Sequence, residues 1–424
     1  MFTNAPPAVD VEVALRDILG SALAPGDDSV AVDGLTPRFV ATPDSADQVA
    51  AALAAVNDAG AAVIPWGGGR HMALGNVPAR YDVALRTAKL DRVVEYEPAD
   101  LTVTVEAGIT CGALQALLGE HGQFLPIDAP REATVGGVLA AGVSGPSRHA
   151  YGLPRDWLLG CRIVQADGAN VKAGGRVVKN VAGYDLPKLV VGSLGTLGIV
   201  VEATFKVAPL PVAQETMLFV CASLRAAAES VFAADDRGLA LRAVAIANAA
   251  AALPDAPALD DGQALAAFWL AGSPAAVERT AREISSVMSS SPPVRVEGED
   301  SERWWAAHAE PIDARIAFQA SLPPSAVAGF LERCDGPAVA YPTTGLVLTW
   351  RNATATEELL DEIAHARALA VASGGSLIVT RAPAELKRRI DVWGETEALP
   401  LMRRLKEEFD PKRTLSPGRF IGGL

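Results

Sequence analysis

The chain has 424 residues, half of them hydrophobic and 21% charged, with a formal net charge of −13. At roughly 100–200 residues per domain this length allows two or three domains with real cores, and the composition excludes a disordered chain. The acidic balance argues against nucleic acid, whose phosphates need a basic face.

Residues 1–34 read as an N-terminal extension. The opening residues, Met1 to Pro7, carry neither a basic n-region nor an apolar h-region, so no signal peptide is expected. A β–α–β unit follows: a strand at 38–41, a helix at 49–58 announced by Ser45 with Gln48 three residues on, closure at Gly60 and a returning strand at 61–65. Strands at 91–96 and 101–106 come next, and Thr110 caps a helix that ends near Gly122. After a glycine-rich stretch, a strand at 199–207 closes the first half. Beyond residue 212 the rhythm changes. Strands at 215–223, 239–247, 264–270, 315–320, 338–341, 345–350 and 375–380 alternate with helices at 224–232, 275–289, 325–332 and 357–372. Such alternation predicts an α+β domain, an antiparallel sheet with helices on one face. Segments 252–257 and 289–293 read as surface loops. The uncharged stretches 262–277 and 316–331 contain Ser, Pro or Gln and fall short of the ~20 apolar residues of a membrane span. Four cysteines lie far apart without a CxxC, so no disulfide framework or metal cradle is implied. Together these features point to the cytoplasm.

Much of the glycine lies before residue 200, in clusters at 67–75, 136–152, 168–183 and 192–198. A glycine loop after a strand presents its backbone N–H groups to a phosphate, because no side chain blocks the approach. Trp66, Gly67, Gly68, Gly69, Arg70 and His71 are such a loop, although a plain tight turn uses the same residues. No Gly-Lys-Ser/Thr follows, so it is not a Walker loop. Residues 71–81 include Gly75 and Pro78 and open no helix, so the Rossmann fingerprint fails as well. The segment 133–142, with Thr134, Gly136 and Gly137, is nearly devoid of bulk. That suits close approach to an extended ligand, or tight helix–sheet packing. The run 178–186 continuing to Gly192, Gly195, Thr196, Gly198 and Ile199 is the most specific of these signals.

These loops, together with Tyr151-Gly152 and Arg155-Asp156, resemble the FAD-binding domain of the vanillyl-alcohol-oxidase/p-cresol-methylhydroxylase (PCMH) superfamily. Within it the chain is most similar to the small flavin subunit of bacterial glycolate oxidase, including the C-terminal stretches 391–394, 401–411 and 417–420. The resemblance covers about 35–424 and is weakest in the middle third. It implies a two-subdomain PCMH-type FAD-binding domain at 35–212, an α+β cap or substrate domain at 213–394, and a tail at 395–424 returning to the FAD domain. It also implies that the 66–71 loop wraps the FAD pyrophosphate, with Gly75 nearby. Thr134, Gly136 and Gly137 would line the ribityl and flavin side, and Gly195, Thr196, Gly198 and Ile199 the adenosine end.

Some superfamily members bond flavin covalently to a His beside the first loop. Here Arg70 directly follows Gly69 and His71 is displaced by one, so noncovalent FAD is expected. His149, before Tyr151-Gly152, is a candidate to approach the flavin. Metal-dependent members carry an HxGDGN-like segment; none exists here, His308 and His365 are far apart, and no metal site is expected. Arg303, Arg315 and Arg381 lie in the domain where a carboxylate substrate needs a guanidinium. Lys387-Arg388-Arg389 reads as an exposed helical charge run, and Trp304-Trp305 as core. Two functions follow from the resemblance. One is an FAD-linked oxidoreductase taking hydride from a small 2-hydroxyacid, glycolate or D-lactate, and passing electrons to an iron–sulfur partner or quinone. The other is a non-catalytic FAD relay or assembly subunit beside a larger flavin subunit and an iron–sulfur subunit. Such partners would set any contact with the inner membrane.

Overall fold

The computed structural model describes residues 10–176, 185–288, 292–308, 314–352 and 357–424. Helix α1 (Val11–Leu19) is capped by Asp10 and buries Val11, Leu15 and Leu19, the stripe of an amphipathic helix. Strands β1 (Leu23–Pro25) and β2 (Phe39–Ala41) lead to α2 (Ala46–Asp58), which Ser45 caps through the Gln48 amide. Strands β3 (Val63–Trp66) and β4 (Val83–Arg86) complete a sheet of order β1-β2-β4-β3. In it β2, β4 and β3 run parallel, so their carboxyl ends meet at one edge. Both helices pack on this sheet around Leu53, Val63 and Leu85.

The second unit contains β5 (Val93–Glu97), β6 (Thr102–Glu106), α3 (Cys111–Gly119) and β7 (Gln123–Phe124). Three short helices follow, α4 (Val135–Ala141), α5 (Arg148–Tyr151) and α6 (Pro154–Trp157). It is completed by β8 (Leu158–Val164), β9 (Asn170–Gly174), α7 (Leu186–Val190), β10 (Ile199–Lys206) and β11 (Ala208–Pro209). Its antiparallel sheet has the order β5-β6-β10-β8-β9, while β7 pairs with β11.

The remainder is built on an eight-stranded antiparallel sheet of order β15-β12-β14-β13-β17-β18-β16-β19 among the described residues. In chain order its elements are β12 (Ala213–Cys221), α8 (Leu224–Asp235), β13 (Leu241–Asn248), β14 (Ala264–Gly272) and α9 (Pro274–Val287). Then come β15 (Val294–Glu297), α10 (Gly298–His308), β16 (Ile316–Ser321), α11 (Val327–Leu331) and β17 (Ala338–Tyr341). Last are β18 (Leu346–Arg351), α12 (Glu357–Ala372), β19 (Ser376–Arg381) and α13 (Ala384–Lys387). Strand alternation sorts this sheet's faces. Ala266, Phe268 and Leu270 of β14 face the helix-covered core, and Leu265, Ala267 and Trp269 the opposite one. The expectation of helices on one face holds for α8, α9, α11 and α12 but not for α10. That helix turns Trp304 and Trp305 onto the second face, where Trp305 stacks on Trp269 at 5.4 Å. Finally α14 (Leu399–Phe409) brings the tail back beside β3, where Val63 bonds Thr414 and Ser416. Among the described residues no helix is long and apolar enough to cross a membrane.

Candidate functional site

Three glycine-bearing segments meet at the carboxyl edge of β2, β4 and β3. The first loop leaves β3 at Trp66, which stands opposite Arg86 at the end of β4. A Cβ on Gly67 would collide with Thr134 Oγ1, and one on Gly68 would lie 2.5 Å from the Glu132 carbonyl oxygen. The loop therefore lies flush on the segment preceding α4, and only glycine permits it. Thr134 caps α4, its Oγ1 accepting from the Gly137 amide at 3.2 Å, and the Gly136 amide donates to the Ala107 carbonyl at 2.7 Å. The third segment joins the same cluster. Gly192 and Leu194 donate to the Leu139 and Ala140 carbonyls, both at 2.8 Å, and Gly195 sits against Pro65. Thr196 is buried and bonds Ser193; Gly198 abuts the Val164 carbonyl, and Ile199 begins β10 opposite Val164. The part of the run falling at 178–184 lies outside the described residues.

Beside the first loop opens a polar cleft of about 600 Å³. Gly68, Gly69 and Arg70 line it with Ser29, Val30, Trp66, Arg86 and Arg381. Arg381 thus comes from the eight-stranded sheet to the cleft beside the first loop. The loop's other side is gripped by cations. Lys387 Nζ bonds both oxygens of Asp33, at 2.8 and 3.0 Å, and the Ala73 carbonyl at 2.6 Å. Arg419 reaches the Met72 carbonyl at 2.7 Å and that of Leu74, and Gly75 packs on the Arg419 backbone. Burial lowers the Arg419 guanidinium to about 10, although Asp33 and Tyr81 oppose the shift. The exposed charge run is accordingly corrected. Lys387 is 3% exposed, because one turn of helix turns it inward to Asp33, whereas Arg388 and Arg389 remain outside. A third cation, Lys406 of α14, bonds Asp410, the Leu415 carbonyl and the Thr196 carbonyl at 2.7–2.9 Å, holding the third segment from behind.

A second constellation lies where α5 meets the cap sheet. Arg242 of β13 is buried, its guanidinium 3.8 Å from the Trp269 ring centre and flanked by Phe124 and Tyr151. Its Nε donates to Ser147 Oγ at 3.1 Å, and the Ser147 amide donates to Asp128 Oδ2 at 2.7 Å. Burial raises the Asp128 carboxyl, with Ser147 and Arg242 pulling it back; burial likewise lowers Arg242, opposed by Asp128, Glu302 and Tyr151. His149 is close by in sequence, yet its ring is tied to the cap. Nδ1 lies 2.8 Å from Thr343 Oγ1 and Nε2 3.7 Å from Asp235, and burial lowers its pKa. Arg303 and Arg315 are exposed, the former paired with Asp300. The sequence reading passed over Arg86, Asp128 and Arg242. The signal for two of them was present: a charge ending the apolar strand Val83-Ala84-Leu85, and one inside the apolar strand Leu241–Asn248.

The FAD_binding_4 family, an FAD binding domain, matches residues 37–174. "Glycolate oxidase subunit GlcD" of Bacillus subtilis is 26% identical over 91% of this chain and 89% of its own length. "Glycolate oxidase subunit GlcE" of Escherichia coli is 44% identical over 122 residues, 28% of this chain and 35% of that protein. Among solved structures, p-cresol methylhydroxylase with substrate bound aligns over 96% of each chain with a TM-score of 0.73 at 16% identity, which shows the fold. Over shorter stretches the chain also matches D-2-hydroxyglutarate and D-lactate dehydrogenases. The chain therefore carries a PCMH-type FAD-binding domain and is an FAD-dependent oxidoreductase related to the glycolate oxidase subunits and these 2-hydroxyacid dehydrogenases.

Proposed function

We propose that the chain oxidises a small 2-hydroxyacid, glycolate or D-lactate, with noncovalently held FAD. The observation that carries this reading is Arg242. It is a buried guanidinium between the two halves whose terminal nitrogens make no hydrogen bond among the described residues. A carboxylate would supply the missing acceptors, in the bidentate geometry a planar guanidinium favours. Trp269 holds the plane from one side and Ser147 fixes the Nε edge. Asp128, bonded to the same Ser147, is the carboxyl available to take the hydroxyl proton, and partial burial suits it to hold one.

The three glycine segments supply a cradle for the cofactor. In this reading the amides of the 66–71 loop hold the diphosphate. Thr134, Gly136 and Gly137 flank the ribityl chain, and Gly195, Thr196, Gly198 and Ile199 the adenosine end, with Gly75 near the loop. Bound FAD supplies the acceptor for the substrate's hydride. Electrons leave through an iron–sulfur partner or a quinone; that both glycolate oxidase relatives are subunits supports a partner chain and no more. A second reading, compatible with the subunit names of both relatives, is a flavin subunit that relays electrons within a complex with a larger flavin subunit. Anaerobic titration of the isolated flavoprotein separates the two. Bleaching of the flavin absorbance by glycolate or D-lactate supports oxidation by this chain; no bleaching by any 2-hydroxyacid supports the relay. Arg242→Lys, which loses the planar fork, is expected to raise the half-bleaching concentration about tenfold or more. An unchanged value removes Arg242 from the substrate site.

A further inference from the structure

We infer that Arg86 and Arg381 form a guanidinium clamp on the diphosphate of the cofactor, so that the cap is tied to the nucleotide half through the ligand itself. The inference rests on the reading that the 66–71 loop holds that diphosphate. Topology places Arg86 there. Parallel strands β2, β4 and β3 deliver their carboxyl ends to one edge, the place where open α/β sheets bind ligands, and Arg86 sits opposite Trp66 at that edge. Its Nε is buried and makes no hydrogen bond among the described residues. An anion in the cleft would supply the acceptor that this Nε lacks. The carboxylate that Arg86 influences, Asp27, is exposed, and its Oδ1 already accepts from the Ser29 amide at 2.8 Å.

Arg381 arrives from the opposite side. It is the last residue of β19, paired with Ala317 in the cap sheet, and it lines the same cleft as Gly68, Gly69 and Arg70. Backbone amides and three guanidinium groups from two halves of the molecule therefore surround one space of about 600 Å³. That volume lies in the range of small-molecule sites. Two adjacent phosphoryl groups offer enough oxygens for Arg86 and Arg381 to bond separately, and guanidinium–phosphate pairs are short and often bidentate. Behind the loop, Lys387 and Arg419 occupy the carbonyls of residues 72–74.

The test uses the purified full chain stripped of flavin, titrated with FAD by fluorescence and with ADP as a competitor carrying the diphosphate without the flavin. Arg86→Gln and Arg381→Gln are each expected to weaken FAD and ADP about tenfold or more, and Arg86→Lys to recover part of the loss. FAD should raise the melting temperature of the wild type by more than that of Arg381→Gln, because that variant loses the tie between halves. Melting of each apo variant shows whether it folds. Should the Gln variants fail to fold, the Lys variants carry the test, through weaker FAD and ADP binding from the lost bidentate bonds. Folded variants that bind FAD and ADP within about twofold of the wild type overturn the clamp. Wild-type protein that takes up no FAD overturns instead the reading on which it rests.

Discussion

Single residues decide how closely the glycine segments approach one another. Gly67 lies where a Cβ would strike Thr134 Oγ1, a side-chain atom, whereas Gly68 faces a backbone carbonyl. Gly67→Ala is therefore expected to destabilise the protein by about 1–3 kcal/mol, the usual range for overpacking. Adding Thr134→Ala should return part of that loss despite removing the α4 cap, which is worth about 1 kcal/mol. Denaturant unfolding of the two variants reads this directly, and a double variant less stable than Gly67→Ala would contradict the packing argument. No such rescue exists for Gly68→Ala, because the Glu132 carbonyl belongs to the backbone. Arg242 and Arg86 make the complementary point. Each is a charge in an apolar strand, and sequence alone does not distinguish one turned to solvent from one turned into a junction. Only the sheet order, which sets Trp269 beside β13 and Trp66 beside β4, decides it.

Between elements, buried lysines hold the loops in place. The Lys387–Asp33 and Lys406–Asp410 pairs are almost wholly buried, and each ammonium also bonds a carbonyl of a glycine segment, that of Ala73 or Thr196. Burial lowers both ammonium groups while the carboxylates oppose the shift, so removing either lysine strands a buried carboxylate. Lys406→Met is expected to cost about 3–5 kcal/mol in denaturant unfolding. It should also weaken FAD binding, because the Thr196 carbonyl loses its donor. A stability within 1 kcal/mol of wild type, by the same principle, would contradict the lock. The contact of α5 with α8 has its own pH signature. Burial lowers the His149 pKa, so the folded state resists the proton that the unfolded chain accepts near 6.5. This contribution is complete above about pH 6.5 and is lost as the pH falls toward the folded value. Melting temperature should therefore fall less steeply on acidification in His149→Gln than in wild type; identical slopes would exclude the histidine.

At the scale of the molecule, local chemistry was legible and long-range partnership was not. Ser45 and Thr110 announce their helices, because a cap and the amide it satisfies lie three residues apart. The glycine segments declare themselves by composition, and the cap's α+β class by its alternating strands and helices. Lys387 could not be read in the same way, since its partner Asp33 is 354 residues distant. Helix α10 escaped for a similar reason: its short amphipathic stretch earns its place only once β12, β14 and β17 present an apolar face for Trp304 and Trp305. The cleft with Arg86 and Arg381 exists only after both halves have folded against each other. The central claim is that this assembly holds FAD without a covalent bond, and one sequence of readings on the purified protein tests it: an absorbance spectrum after incubation with FAD and removal of the excess, then acid precipitation. The account predicts a flavin spectrum whose yellow colour passes into the supernatant. A protein that stays colourless, or colour that remains in the pellet, would contradict it.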